Sequence, residues 1–277
     1  MRRSIARIGT GVMLLSAAIC TSLLLRADSP DALALIDQGK AALAQGHVHD
    51  AIALFQRAVD LDPSSAKAHE QLGAALSKEV IAGNIRPSSD SDVVDRAQHH
   101  LQLAAELAPY AVKPLIEWSE FEAVLAERSG NSDERSDRYR KAQELLKKAV
   151  SLKPGNADLY LELAKLERDE FSPVIQQAKA RFGAKSGPLP DAQTRQALQQ
   201  QYGELIEDAI SNGRRASEVN AGSPRPLLLM SRLLQERALL RDTPEQYASD
   251  MHSAQDLYRQ FLIDGGHTGS DSADTSQ

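Results

Sequence analysis

Residues 51–63 read AIALFQRAVDLDP, and the spacing inside that stretch, Ala51-x3-Phe55-x2-Ala58-x4-Pro63, decides the fold. The same spacing returns as Ala97-x3-Leu101-x2-Ala104-x4-Pro109 and again as Ala142-x3-Leu146-x2-Ala149-x4-Pro154. Residues at i, i+4 and i+7 share one face of an α-helix. The two alanines of each copy let a neighbouring helix come close, and Phe55, Leu101 or Leu146 fills the gap beside them. Each proline closes its helix, because it has no backbone N–H to donate and pushes the preceding residue (Asp62, Ala108 or Lys153) out of the helical region. A pattern repeated at fixed spacing marks a helical array, which favours a binding scaffold over an enzyme.

Working outward, a second helix is expected upstream of the first copy, from Asp31 to Ala44, with Leu35, Gly39 and Ala42 along one face and Gly46 permitting a sharp turn after it. The unit formed by these two antiparallel helices resembles a tetratricopeptide repeat (TPR). That family has a large-x2-Leu-Gly-x2-large first helix and an Ala-x3-Phe-x2-Ala-x4-Pro second helix. Leu35, Gly39, Ala42, Gly46, Ala51, Phe55, Ala58 and Pro63 carry the resemblance; Gln38 stands where the family usually has leucine and Ala42 where it usually has tyrosine.

The later units are longer. Pro63 and Pro109 are 46 residues apart, and Pro109 and Pro154 are 45 apart, against a family period of about 34. The additional residues are expected between the two helices of a unit. In the second unit they fall at Gly83–Asp92, and in the third around Ser129–Asp133 unless longer helices absorb them. Ala209, Gly213 and Ala216, and then Ala254, Tyr258 and Phe261, keep enough of the spacing for two degenerate repeats, with a helix from Arg225 to Leu240 between them. Pro173, Gly183, Gly187, Pro188 and Pro190 predict a broken helix and loop over 171–190, and a long helix from Ala192 to Val219 restarts the array.

The expected fold is therefore all-α: a right-handed superhelical solenoid of about five TPR-like helical hairpins behind an N-terminal signal or anchor helix. Its expected divisions are a signal peptide or membrane anchor over 1–27, a first repeat over 31–65, a second with a loop insertion over 66–111 and a third over 112–156. An irregular fourth over 157–223, a degenerate fifth over 224–264 and a flexible tail over 265–277 complete it. The tail is expected because Gly, Ser, Asp and Thr bury too little apolar surface to order a chain. With 42% hydrophobic but only 4% aromatic residues, the composition suits alanine-rich helix packing.

Arg2, Arg3 and Arg7 precede the eighteen-residue apolar run Ile8–Leu25, the pattern of an export signal or membrane anchor. Cleavage after Ala27 would put Leu25 where a small residue is preferred; retention would leave a span at the lower limit of length, with inner-membrane association through 8–25. In both cases the arginines keep the amino terminus cytoplasmic and the repeats are exported. Ile19 before Cys20 argues against a lipoprotein, and Arg2-Arg3 is a weak match to a twin-arginine signal. No cysteine follows Cys20, so the exported part has no disulfide and no cysteine-based metal or redox site. The net charge is −6, and the first 27 residues hold four arginines and no acid, so the remainder carries −10. Interspersed charges of this balance argue against a nucleic-acid partner, which needs a basic stripe.

No catalytic residue, metal site or cofactor is expected. His47 and His49 sit in a turn with no third ligand, and His99 and His100 diverge from adjacent helix positions. Asp90-Ser91-Asp92 lacks the remaining ligands of a calcium loop and reads as a helix cap. Glu117, Glu120 and Glu122 read as a solvated helix face and Trp118 as packing. In the TPR family the first helices of successive repeats line a concave groove. Carrying that register onto this chain gives a partner-binding surface of Ile36, Lys40, Lys67, Glu70, Gln71, Lys78, Lys113, Glu117, Glu120, Glu162, Lys165, Arg225 and Arg232. Some relatives grip a peptide's terminal carboxylate there. The matching places hold Ile36, Lys40, Gln71, Lys113 and Glu117, of which only Lys113 agrees, so that chaperone-tail function is not expected.

The function expected is a non-enzymatic protein–protein interaction scaffold of the bacterial cell envelope, facing the periplasm and holding a peptide or helix of another protein. The bacterial assignment follows from the short exported solenoid. An alternative is an anchored assembly factor of an envelope or pilus-like machine, using rim loops or the outer face. An enzyme built on 171–190 is the remaining alternative.

Overall fold

The computed structural model describes residues 29–83, 91–183 and 186–268; the expected signal or anchor segment lies outside them. The described residues form ten helices and no strand: α1 (Pro30–Ala44), α2 (Val48–Leu61), α3 (Ala66–Ile81), α4 (Ser91–Leu107), α5 (Lys113–Arg128), α6 (Ser132–Leu152), α7 (Ala157–Phe182), α8 (Ala192–Val219), α9 (Arg225–Leu239) and α10 (Pro244–Thr268). They pair in chain order as five hairpins, each joined to the next through its second helix, as α2 to α3, α4 to α5, α6 to α7 and α8 to α9. Neighbouring first helices also touch, α1 with α3, α3 with α5 and α7 with α9, whereas no two second helices among the described residues pack comparably. The first-helix side is therefore the inner side of the array, and the second helices spread outward.

The repeated residues build the core. Ala51, Phe55 and Ala58, then Ala97, Leu101 and Ala104, then Ala142, Leu146 and Ala149 are all buried. Helices α2, α4 and α6 each stop two residues before Pro63, Pro109 and Pro154. Opposite each small-x3-large face the first helix also carries a small residue. A Cβ on Gly39 would lie 2.4 Å from Phe55 Cε1, and one on Gly73 would lie 2.8 Å from Leu101 Cγ. In the third and fifth hairpins the place is taken by serines: Ser119 Oγ donates to the Ala142 carbonyl (3.0 Å) and Ser231 Oγ to that of Ala254 (2.7 Å). The hydroxyl thus replaces direct backbone approach with a hydrogen bond between the helices. Side-chain caps start several helices, Ser65 for α3, Asn131 for α6, Asn156 for α7 and Asp191 for α8.

Of three expectations, one left open is decided and two are corrected. The additional residues of the third unit do not form a loop: only Ser129–Asn131 separate α5 from α6, and α6 runs to 21 residues. Asn131 caps it directly, Asp133 and Glu134 lie in its first turn, and Arg138 and Glu134 pair at 2.9 Å one turn apart. Of the expected loop in the second unit, residues 84–90 lie outside the described residues. Second, the proline-marked stretch 171–190 is helical as far as Phe182. Pro173 removes the donor that the Asp169 carbonyl would have met, yet Phe171 and Ile175 on either side are fully buried against Leu161, Tyr202 and Ile206. That burial carries the helix through, and the Tyr139 hydroxyl lies 3.4 Å from the freed Asp169 carbonyl. The loop begins only at Gly183, whose left-handed φ of 61° closes α7. It is then tied down by the buried Leu189, whose N–H donates to the Leu239 carbonyl at 2.8 Å. Third, α10 continues to Thr268, past the expected tail boundary at 265, because an established helix extends at the cost of one residue per added bond.

Candidate functional site

The inner side carries two constellations of the expected groove residues. The first lies between α3 and α5. Lys113 Nζ is held between Glu70 and Glu117, 3.0 Å from Glu117 Oε1, and the Gln71 amide donates to Glu70 at 2.8 Å. Burial works against the Lys113 charge, but the hydrogen bonds it donates to both carboxylates outweigh it and hold its pKa above the ordinary value. Burial raises the Glu117 carboxyl despite Lys113, and Glu117 Oε2 is buried with no hydrogen-bond partner among the described residues. Glu120 is likewise raised, by burial and then by Glu162, with Lys78 opposing.

The second constellation lies between α7 and α9. Arg225 Nη1 is 3.1 Å from Asp158 Oδ1, its Nη2 is 3.7 Å from Glu162, and Lys165 Nζ is 2.7 Å from Glu162. Beside them opens a concavity of about 510 Å³, lined by Leu161, Lys165, Arg168, Asp169, Arg225, Leu228, Leu229, Arg232 and Phe261. Apolar side chains form its floor, four cations its rim, and Phe261 of α10 its outer wall. This is the size and mixture of a site that anchors one side chain and orients it with a few charges. Arg232 is exposed and makes no hydrogen bond or ion pair among the described residues. It also borders a smaller cavity of about 250 Å³ with Arg168, Lys179 and Tyr247.

One expected groove residue is not there. Ile36 is fully buried, because it shares a face of α1 with Ala32, Leu35 and Gly39 and packs into the hydrophobic cluster that runs from the first hairpin to α5. Lys40 is exposed at the edge of the array and pairs loosely with Asp37 (3.8 Å). Lys67 and Lys78 are exposed on α3, and Gln71 is mostly buried.

Sequence reading passed over Arg168, Asp169, Leu161, Leu228, Leu229 and Phe261. Arg168 stands one turn beyond Lys165, and the two leucines lie between Arg225 and Arg232, so the helical register contained a signal for them. Arg168 is aimed by a partner 68 residues away: Glu236 accepts from its Nε (3.1 Å) and Nη2 (2.7 Å) and from Ser172 Oγ (2.5 Å). Glu122 is a further correction. It is buried, and its carboxylate accepts from Gln98 (2.7 Å), Trp118 Nε1 (2.9 Å) and Arg138 (3.1 Å), which makes it an internal strut and not part of a solvated face. The half-buried Trp118 is fixed by that bond and by Lys141 Nζ, 4.7 Å above its ring.

His69, which the sequence reading did not single out, meets His100 across the second hairpin. Their Nδ1 atoms are 2.9 Å apart, and His69 Nε2 lies 3.1 Å from the Pro63 carbonyl. With both rings neutral, the second contact puts the proton of His69 on Nε2, and its Nδ1 then accepts from His100. Burial first, and then the neighbouring His69, His99 and Arg96, lower the His100 pKa to about 4. His49 faces Glu79 at 3.0 Å.

A family model described as TPR repeat matches residues 39–79, which span the end of α1, all of α2 and most of α3. Among curated proteins none matches the chain. Similar solved structures include the MamA protein, at 12% identity over 89% of this chain and 97% of that one with a TM-score of 0.54. They also include MamA 41-end from Desulfovibrio magneticus RS-1, at 14% identity over 84% and 98% with a TM-score of 0.51. At such identities the likeness concerns the fold alone. The protein is thus an array of helical hairpins with the fold seen in MamA, and residues 39–79 within it match the TPR repeat.

Proposed function

We propose that this protein is a protein-interaction scaffold that holds a peptide or helix of another protein along its inner, first-helix face. The observation that carries the reading is the concavity between α7 and α9, where an apolar floor is rimmed by Lys165, Arg168, Arg225 and Arg232. The repeat architecture supports it, since stacked hairpins present one extended surface assembled from many short helices. The export pattern of Arg2, Arg3, Arg7 and Ile8–Leu25 supports an envelope location facing the periplasm. No described helix is itself long and apolar enough to cross a membrane.

Site-specific photo-crosslinking in the native cell tests the proposal. A photoreactive residue at Lys78 or Arg232 on the inner side is expected to trap a partner, and one at the exposed Arg57 or Lys148 of the second helices is not. Adducts confined to Arg57 and Lys148 would reverse the assignment of the binding face.

One observation favours the second reading, an anchored assembly factor. In the last hairpin Tyr258 is 46% exposed and Leu262 54% exposed. Tyr258 holds the place of the fully buried Phe55 and Leu101, and among the described residues no helix follows α10 to cover it. An adduct from position 262, with none from 78 or 232, would favour end-on assembly.

A further inference from the structure

We infer that the concavity between α7 and α9 recognises an acidic peptide in which carboxylates flank one aromatic or aliphatic side chain. The inference rests on the inner-face reading above and names the chemistry of its partner.

Arg225 and Arg232 are seven residues apart on α9. Two turns of helix separate them by about 10 Å along the axis and return them to the same face. Leu228 and Leu229 lie between them and help line the floor, with Leu161 on the facing helix and Phe261 closing the outer wall. A ligand that fills the floor with an apolar side chain therefore meets one guanidinium on each side of it. In an extended peptide, about three residues cover that distance. The matching pattern is an acid, a short step, an apolar anchor, and a second acid.

The state of each cation fits this reading. Arg232 is exposed and has no partner among the described residues, so a carboxylate meeting it displaces water alone. Arg225 is already placed by Asp158 and Glu162 yet leaves 56% of its side chain accessible. A guanidinium has five N–H donors and accepts a further carboxylate while keeping these bonds. Arg168 is held by Glu236 and Ser172, so it adds a fixed charge at the back of the rim. Asp169 is the only acid among the lining residues.

Nucleic acid fits less well. The cationic rim is short, Asp158, Glu162 and Glu236 stand immediately around it, and the chain carries a net charge of −6. A phosphate backbone needs a long uncompensated stripe. The depth and apolar floor of the concavity would also go unused by a polyanion.

The test is selection of a random twelve-residue peptide display library on the full chain, followed by fluorescence anisotropy with the enriched consensus peptide. Expected is enrichment of Asp or Glu on both sides of Phe, Leu, Ile or Met. Binding should weaken at least tenfold on Arg232→Glu, be largely kept on Arg232→Lys, and fall as salt rises. Arg232 is exposed and makes no hydrogen bond or ion pair among the described residues, so the Arg232→Glu chain should keep its circular dichroism melt. A 20-nucleotide single-stranded DNA should not compete; effective competition would overturn the peptide assignment in favour of nucleic acid. Enrichment without acidic bias, binding untouched by Arg232→Glu, or no enriched peptide would each overturn the inference. Neutral peptides lost on Lys113→Glu but not on Arg232→Glu would sink the acidic-peptide inference and leave inner-face binding standing. Crosslinks from the second helices alone would remove both.

Discussion

Arg168 on α7 and Glu236 on α9 face one another as a two-pronged ion pair, with Nε and Nη2 at 3.1 and 2.7 Å from the two carboxylate oxygens. Glu236 is only 2% exposed and also accepts from Ser172. The pair joins the first helices of the last two hairpins and fixes the back of the candidate site. Removing one member leaves the other short of its partner in a partly desolvated place. Glu236→Ala should destabilise the chain by about 3 kcal/mol, read as a lowered urea midpoint. An unchanged midpoint would mean that the pair only decorates the interface.

Gly39 is required by approach and not by backbone freedom. Phe55 occupies the space that any Cβ there would enter. Gly39→Ala should therefore cost about 1–3 kcal/mol by overpacking, although alanine is the better helix former. Gly203, inside α8, has open space around its notional Cβ. Gly203→Ala should instead stabilise by about 0.5–1 kcal/mol. A Gly39→Ala melt that does not fall would refute the stated packing of the first hairpin.

Two buried groups pull the pH profile in opposite directions. Glu167 is fully buried on α7, and burial pushes its carboxyl up to about 7 even though Asn212 donates to both oxygens, at 3.1 and 2.8 Å. A folded pKa above the unfolded one means that the native state binds the proton more tightly, so this contribution is complete below pH 4.5 and is lost as pH rises through about 7. His100, lowered from 6.5 to about 4, has the reverse sign: its contribution is complete above 6.5 and is lost as pH falls towards 4. Melting temperatures measured from pH 4 to 8 should show Glu167→Gln rising more steeply with pH than the parent. His100→Gln, which keeps a donor for His69, should flatten the acid side. Parallel profiles for all three proteins would show that neither group titrates inside the fold.

Pro173 sits within α7 with its ring exposed, and the residue four places earlier, Asp169, has lost its helical donor. Pro173→Ala restores that N–H and should raise stability by about 1 kcal/mol. A lowered melting temperature would mean that the packing of Phe171 and Ile175 depends on the bend a proline imposes.

The array itself was legible in the chain. The spacing of Ala51, Phe55, Ala58 and Pro63 and its two later copies determines helix faces, helix ends and pairing, because each depends on residues within one or two turns of one another. The helix Ala192–Val219 was readable for the same reason. What the tertiary structure decided depends on residues far apart in sequence. Pro173 reads locally as a helix breaker, but Phe171 and Ile175 gain more from burial beside Tyr202 than the missing bond costs. Ile36 reads as a groove position, but α2 and α3 cover the face it occupies. Glu122 reads as solvated until Gln98 and Arg138 arrive from α4 and α6. The candidate site belongs to this second kind. Arg225 and Arg232 were visible in the register of one helix, but Arg168, Leu161 and Phe261 join them only because stacking brings α7, α9 and α10 together, and no local rule of helix geometry carries that information.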